Sequence, residues 1–133
     1  MVVFVITAAQ TEQVLFGGKG CLGRMDKGAV VLCCATVAPE AAKALGIKIA
    51  GAGFLMIDSP VSGGSVGARA GTMTVMGSGS EAAFAKAGPV LEAISTKVWR
   101  LRDAVVVDNT VKRFSHLLDG VHVASAAKAL AFG

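Results

Sequence analysis

The chain has no tyrosine, one tryptophan and six phenylalanines in 133 residues, so it lacks the aromatic platforms on which nucleic-acid bases stack. Its 13 lysines and arginines exceed its 9 acids without forming a stripe, the local groups being no larger than Arg100 with Arg102 and Lys112 with Arg113. Nucleic acid is therefore disfavoured as a partner. The net charge of +4 suits an anionic ligand and serves solubility equally well. Although 53% of the residues are hydrophobic, no uncharged run reaches the roughly 18–20 residues a bilayer span requires, and no membrane segment is expected. Residues 2–6 are apolar from the outset, with no basic start and no cleavage-type sequence after a long apolar core, which reads as a core strand rather than a signal peptide. Cys21, Cys33 and Cys34 are odd in number and lack metal-ligand spacing. Reduced thiols, an intracellular and cytoplasmic setting and no metal site follow.

What is present alternates. Residues 2–6, 30–34, 54–57, 72–76 and 98–101 read as short strands rich in β-branched or apolar residues. Residues 10–15, 39–45, 80–94 and 109–132 read as helices, with Pro39 in a first turn, Gly46 just past an end, and Ser80 capping ahead of Glu81. Strand–helix alternation predicts an α/β fold with a doubly wound, mostly parallel sheet. The run Gly18-Lys19-Gly20-Cys21-Leu22-Gly23 spells G-x-G-x-x-G, but a helix precedes it and only residues 24–28 separate it from the next strand. A diphosphate cradle needs a strand before the glycines and a helix opening on them, so this hexamer reads as a loop.

Residues 58–64, DSPVSGG, followed by ARAGTM at 68–73, place a glycine-rich loop between two strands. Gly63, Gly64, Gly67 and Gly71 admit positive φ and close approach, so backbone N–H groups and the Ser62 and Ser65 hydroxyls can be aimed at an anion. Taken alone, such a loop is more often a connector than a binding site. The two motifs resemble the D-A-P-V-S-G-G and A-x-x-G-T-L signature of the β-hydroxyacid dehydrogenases, the relatives of 3-hydroxyisobutyrate dehydrogenase. In that family the loop holds the substrate carboxylate, and the resemblance implies this role for Ser62, Gly63 and Gly64.

Residues 109–124, NTVKRFSHLLDGVHVA, resemble a looser form of the family's G-x-x-x-K-x-x-N/H signature. Lys112 aligns with the catalytic lysine and His116 falls four residues later, one turn along the same helix face. Within the family a histidine is similar to the subgroup acting on threonate and other four-carbon sugar acids. Oxidising a secondary alcohol requires a base for the hydroxyl proton, and one amine within reach serves both directions. In the first turn of its helix that amine meets the positive end of the macrodipole, which favours the neutral form a base needs. By resemblance Lys112 moves the proton and His116 orients the substrate. From spacing alone, Lys112 reads as a solvated helix lysine and His116 as a polar residue on a half-buried face. The run from Thr36 to Pro39 resembles the S-T-x-x-P turn near the nicotinamide ribose, and Thr7 ends a strand at the same carboxyl edge, which implies cofactor contacts for both. Either threonine also suits a turn cap.

The family thus implies an NAD(P)-dependent oxidoreductase acting on a small hydroxy acid, with NAD or NADP as cofactor. The match corresponds to the second half of a Rossmann-like domain over residues 1–107 and the start of an all-helical domain at 108–133. The expected sheet has an open edge at residues 1–6, because the family's true fingerprint lies upstream of Met1. Association through that edge, or a homo-oligomer, is the corresponding partner expectation. A second reading is a non-catalytic module that associates through the open edge, and a third is a small-anion binder using the Ser62 loop. The segment 102–108 departs from the family pattern, replacing a glycine-rich approach to the helix with an apolar, β-branched run.

Overall fold

The structure, a computed structural model, describes residues 1–102 and 110–132, without the side chains of 102 and 110–113. The departure at 102–108 and the Lys112 side chain fall outside this description. Strands β1 (Val2–Val3), β2 (Val30–Cys33) and β3 (Leu55–Asp58) run parallel, with Val3 opposite Cys33 and Cys33 opposite Asp58. Helices α1 (Ala8–Phe16) and α2 (Pro39–Gly51) make the two connections. After β3 the chain turns at Pro60 into β4 (Val61–Ser62), passes through α3 (Gly64–Ala70) and returns as β5 (Met73–Gly79). β5 runs antiparallel to both β3 and β4, so one edge of it is paired twice, Ser78 with Asp58 and Thr74 with Ser62. Helix α4 (Glu81–Ile94) then leads to β6 (Ser95–Arg102), parallel to β5 on its other edge. The fold is α/β with a mostly parallel sheet, as the alternation predicts.

Residue parity divides the sheet into two apolar faces. Val31, Cys33 and Met56 pack with Val3, Leu15, Leu45 and Ile49 beneath α1 and α2. Val30, Leu32 and Ile57 pack with Val75, Phe84, Ala87 and Leu91 beneath α4. Ser80 caps α4, its hydroxyl accepting from the Ala83 N–H at 3.2 Å, as the sequence predicts. Two lysines fasten the turn before β2: the Lys27 ammonium donates to the Ala52 carbonyl at 2.7 Å, and the Lys86 ammonium of α4 donates to the Gly28 carbonyl at 3.0 Å.

Several elements depart from expectation, among them β6, which runs from Ser95 to Arg102 instead of 98–101, and the unexpected β4. β1 is two residues long instead of five: among the described residues Phe4 and Ile6 are 63% and 81% exposed, and Thr7 already caps α1. Its outer side forms the sheet edge. α2 does not stop at Gly46 but runs through it to Gly51, since Gly46 and Ile49 continue its buried stripe. The expected glycine loop contains a seven-residue helix, α3, flanked by Gly63 as its N-cap with φ +131° and Gly71 as its C-cap with φ +66°. Among the described residues, no helix is long and apolar enough to cross a membrane.

α5 (Thr110–Phe132) is the longest element at 23 residues. Of its described side chains, residues 114–132, all are exposed except Ser115.

Candidate active site

The DSPVSGG run builds its turn from three different constraints. Asp58 ends β3 buried, Pro60 forbids a continued ladder at its own nitrogen, and the Pro60 carbonyl accepts from the Met76 N–H at 3.0 Å, which anchors the turn to β5. Ser62 is then held opposite Thr74, half-buried, at the head of the sheet. Gly63 and Gly64 follow with φ of +131° and +58°, exposed, so the backbone lies bare beside the Ser62 hydroxyl. Only glycine takes the Gly63 conformation without strain.

Ser62 lines a groove of about 450 Å3 together with Thr74, Met76, Trp99, Leu101 and Ser115. The strand residues share one face by parity: Thr74 and Met76 on β5, Trp99 and Leu101 on β6. Ser115 comes from α5, so the helix that carries Lys112 approaches the body at the Ser62 turn. Lys112 precedes Ser115 by three residues, nearly one helical turn. His116, the neighbour of Ser115, is exposed. Of the six lining residues the sequence singles out only Ser62; Thr74, Met76, Trp99, Leu101 and Ser115 were not anticipated. Helical spacing of three is as good a signal as four, and the alternation of Trp99 with Leu101 marks a second β face, yet neither singles out a site without knowing which element covers that face.

Thr7 and Thr36 lie beyond the carboxyl ends of the paired strands β1 and β2. Thr7 is engaged as the cap of α1: its hydroxyl accepts from the Gln10 N–H at 3.2 Å, and the Gln10 side-chain carbonyl accepts from the Thr7 N–H at 3.0 Å. Thr36 is half-buried between β2 and α2. The same edge is drawn together by three contacts. Cys34 N–H donates to the Val3 carbonyl at 3.0 Å, Ser59 N–H donates to the Cys33 carbonyl at 2.8 Å, and Cys34 Sγ lies 3.6 Å from Ser59 Oγ.

Burial first, and then the neighbouring Asp58 and Cys34, push the Cys33 thiol up to about 12. Burial also raises Cys34, against the lowering effect of its Ser59 contact. A thiolate is the reactive species, so at neutral pH both are inert, whereas Cys21 is only half-buried. An aromatic disulfide reagent should titrate one thiol rapidly in the native chain and three after unfolding. Because the folded Cys33 ionises well above its unfolded value of 9.0, stability should be complete below pH 9 and decline as pH rises from there towards 12. A series of melts across that window checks the sign.

The glycine hexamer at 18–23 has another use. It follows α1 and enters a 3-10 turn at Leu22–Arg24, with no strand before it. A Cβ on Gly20 would stand 2.4 Å from the Leu15 carbonyl oxygen, while one on Gly23 would meet nothing within 4 Å. Gly20 therefore serves to close the chain over the end of α1. Gly20→Ala should destabilise the fold by ~1–3 kcal/mol and Gly23→Ala should leave the melt nearly unchanged.

Residues 1–115 match the family described as the NAD binding domain of 6-phosphogluconate dehydrogenase. This chain belongs to the β-hydroxyacid dehydrogenase family. It is 48% identical over 129 residues to the L-threonate dehydrogenase of Cupriavidus necator, covering 97% of this chain and 43% of that protein. Among solved structures, this family member superposes on 3-hydroxyisobutyrate dehydrogenase from Salmonella typhimurium with a TM-score of 0.91 at 43% identity, covering 98% of this chain and 45% of that one. It also superposes, at a TM-score of 0.85 and 30% identity, on a protein solved in complex with NADP+ and 2-OPP, with 99% and 47% coverage. The chain thus spans less than half the length of the dehydrogenases it matches.

Proposed function

We propose that this chain carries the hydroxy-acid end of an NAD- or NADP-dependent dehydrogenase, with a small hydroxy acid of the sugar-acid type as substrate. The observation that carries the reading is the groove at the Ser62 turn, which α5 enters with Ser115, one turn beyond Lys112. The named activity of the relative from Cupriavidus necator supports a sugar acid, and that of the relative from Salmonella typhimurium supports a small hydroxy acid more broadly.

The residue types fit the nicotinamide end of the cofactor better than the diphosphate end. Thr7 and Thr36 bring hydroxyls to the carboxyl edge of the parallel strands, where doubly wound sheets take their ligands. The glycine hexamer is consumed in terminating α1, so among the described residues it supplies no diphosphate cradle. When bound, nicotinamide supplies the hydride acceptor, or the donor in reverse. The chain's own groups do the rest. Ser62 and the bare backbone of Gly63 and Gly64 hold the carboxylate, fixing which carbinol carbon is presented. The Lys112 amine takes the hydroxyl proton as the carbinol carbon loses its hydride, and returns it when the ketone is reduced. His116 orients the acid from the neighbouring position on α5. Residues 1–107 act as the cofactor-side unit and 108–133 as the start of a helical one, in an intracellular setting.

The test is a fluorescence titration with NADH and NADPH, followed by oxidation rates on a panel of hydroxy acids. Saturable nucleotide binding and turnover with a sugar acid are expected, and no binding at millimolar nucleotide together with no turnover overturns the reading. One observation favours a second reading, a non-catalytic module that associates with another chain or a second copy: Val2 on the edge strand β1, and Phe4 and Ile6 just beyond its end, are 42%, 63% and 81% exposed. A sizing-column retention that shifts with concentration, in a protein without turnover, would select it.

A further inference from the structure

Trp99 is the only tryptophan of the chain and is 51% exposed, on the groove that Ser62 opens. A half-exposed indole beside a groove offers an apolar surface that a ligand can cover. Its orientation is already set. Lys97 lies two residues earlier, on the same side of β6, and its ammonium sits 4.5 Å from the centre of the ring.

The groove's lining divides evenly into two chemistries. Trp99, Met76 and Leu101 offer an apolar and aromatic wall, while Ser62, Thr74 and Ser115 offer hydroxyls. No charged side chain lines it among the described residues. Its volume of about 450 Å3 lies in the range of small-molecule sites. An aliphatic acid would cover the wall and shut the three half-buried hydroxyls off from water without partners, each a loss of about tenfold in affinity. A chain of H–C–OH units satisfies both, turning its C–H side to the indole and its hydroxyls to the serine and threonine oxygens.

We infer that Trp99 is the wall of the substrate site and that Thr74 and Ser115 select a polyhydroxylated acid, taking the hydroxyls beyond the carbon that is oxidised. This specificity rests on the proposed assignment of the Ser62 turn to the carboxylate. It adds residues on β5, β6 and α5 that the DSPVSGG and lysine motifs do not contain.

Because all indole emission comes from Trp99, ligand contact is readable without cofactor or turnover. The test is to titrate the chain with L-threonate and, separately, with 3-hydroxyisobutyrate, following tryptophan emission alongside equilibrium dialysis. L-Threonate should change the emission saturably and bind at least tenfold more tightly than 3-hydroxyisobutyrate. Ser115→Ala should narrow that ratio severalfold while the emission change persists. If dialysis shows L-threonate bound with the emission unmoved, or both acids bind alike, the inference is overturned and the carboxylate turn survives. If neither acid binds by dialysis, the inference and the proposed function fall together.

Discussion

Replacing Lys112 with alanine is expected to lower kcat for hydroxy-acid oxidation by about 10²–10⁴-fold, the usual loss when a positioned general base is removed. The thermal melt should not move with it, since a helix residue in the first turn of α5 carries little of the core, which lies under α1, α2 and α4. Substrate binding should change far less than kcat, because the carboxylate is held by the Ser62 turn. Added small amines should recover part of the rate in the alanine variant if proton transfer is what was lost. Equal activity in the two proteins removes Lys112 from the chemistry. No turnover in either leaves the non-catalytic module as the better account.

The second large effect is expected at Gly63. Its φ of +131° with ψ of −10° belongs to glycine, and an added Cβ would meet the Met73 Cα at 3.4 Å and the Gly67 Cα at 3.5 Å. The space is tight but tolerable, so the cost is conformational, ~1–3 kcal/mol for an L residue forced into such a region. The turn can escape that strain only by rotating the backbone that would face the carboxylate. Gly63→Ala is therefore expected to weaken hydroxy-acid binding at least ~10-fold, which is about 1.4 kcal/mol, and to lower the melt as well. Gly64→Ala should be milder on both measures. Its φ of +58° is the left-handed helical region that other residues visit at about 1–2 kcal/mol, and nothing lies within 4 Å of the added carbon. Binding and melting of the two variants side by side test the order, and a larger effect at Gly64 would contradict the geometry.

Much of this architecture was legible where a local rule decides alone. Ser80 with Glu81 announces the start of α4, and Pro39 that of α2, because a cap or a fixed φ acts within one turn. Legibility failed where a distant packing partner decides. Gly46 looked like a helix end and is instead a buried point inside α2, and Phe4 and Ile6 looked like core but are exposed among the described residues. The antiparallel return of β5 was equally hidden, since its direction is set by the short α3 turn rather than by a crossover helix. In the candidate site, Ser62 stands out only because the DSPVSGG run resembles a family signature; taken alone, a Ser-Gly-Gly loop between strands reads as a connector. Ser115 does not, because an isolated serine on a long helix carries no pattern until a neighbouring sheet face makes it the contact point. The thiols repeat the lesson: Cys33 and Cys34 are adjacent in sequence, and their inertness comes from depth, not spacing.

The lysine fastenings at the turn before β2 give the surplus of positive charge a mechanical role. Lys27 and Lys86 each close a backbone carbonyl that no side-chain cap serves, and Lys27 also rests on the Phe54 ring, 4.9 Å from its centre. Reagents that acetylate amines would remove mortar here rather than merely repaint the exterior, whereas methylation, which keeps the charge, would leave the joint standing.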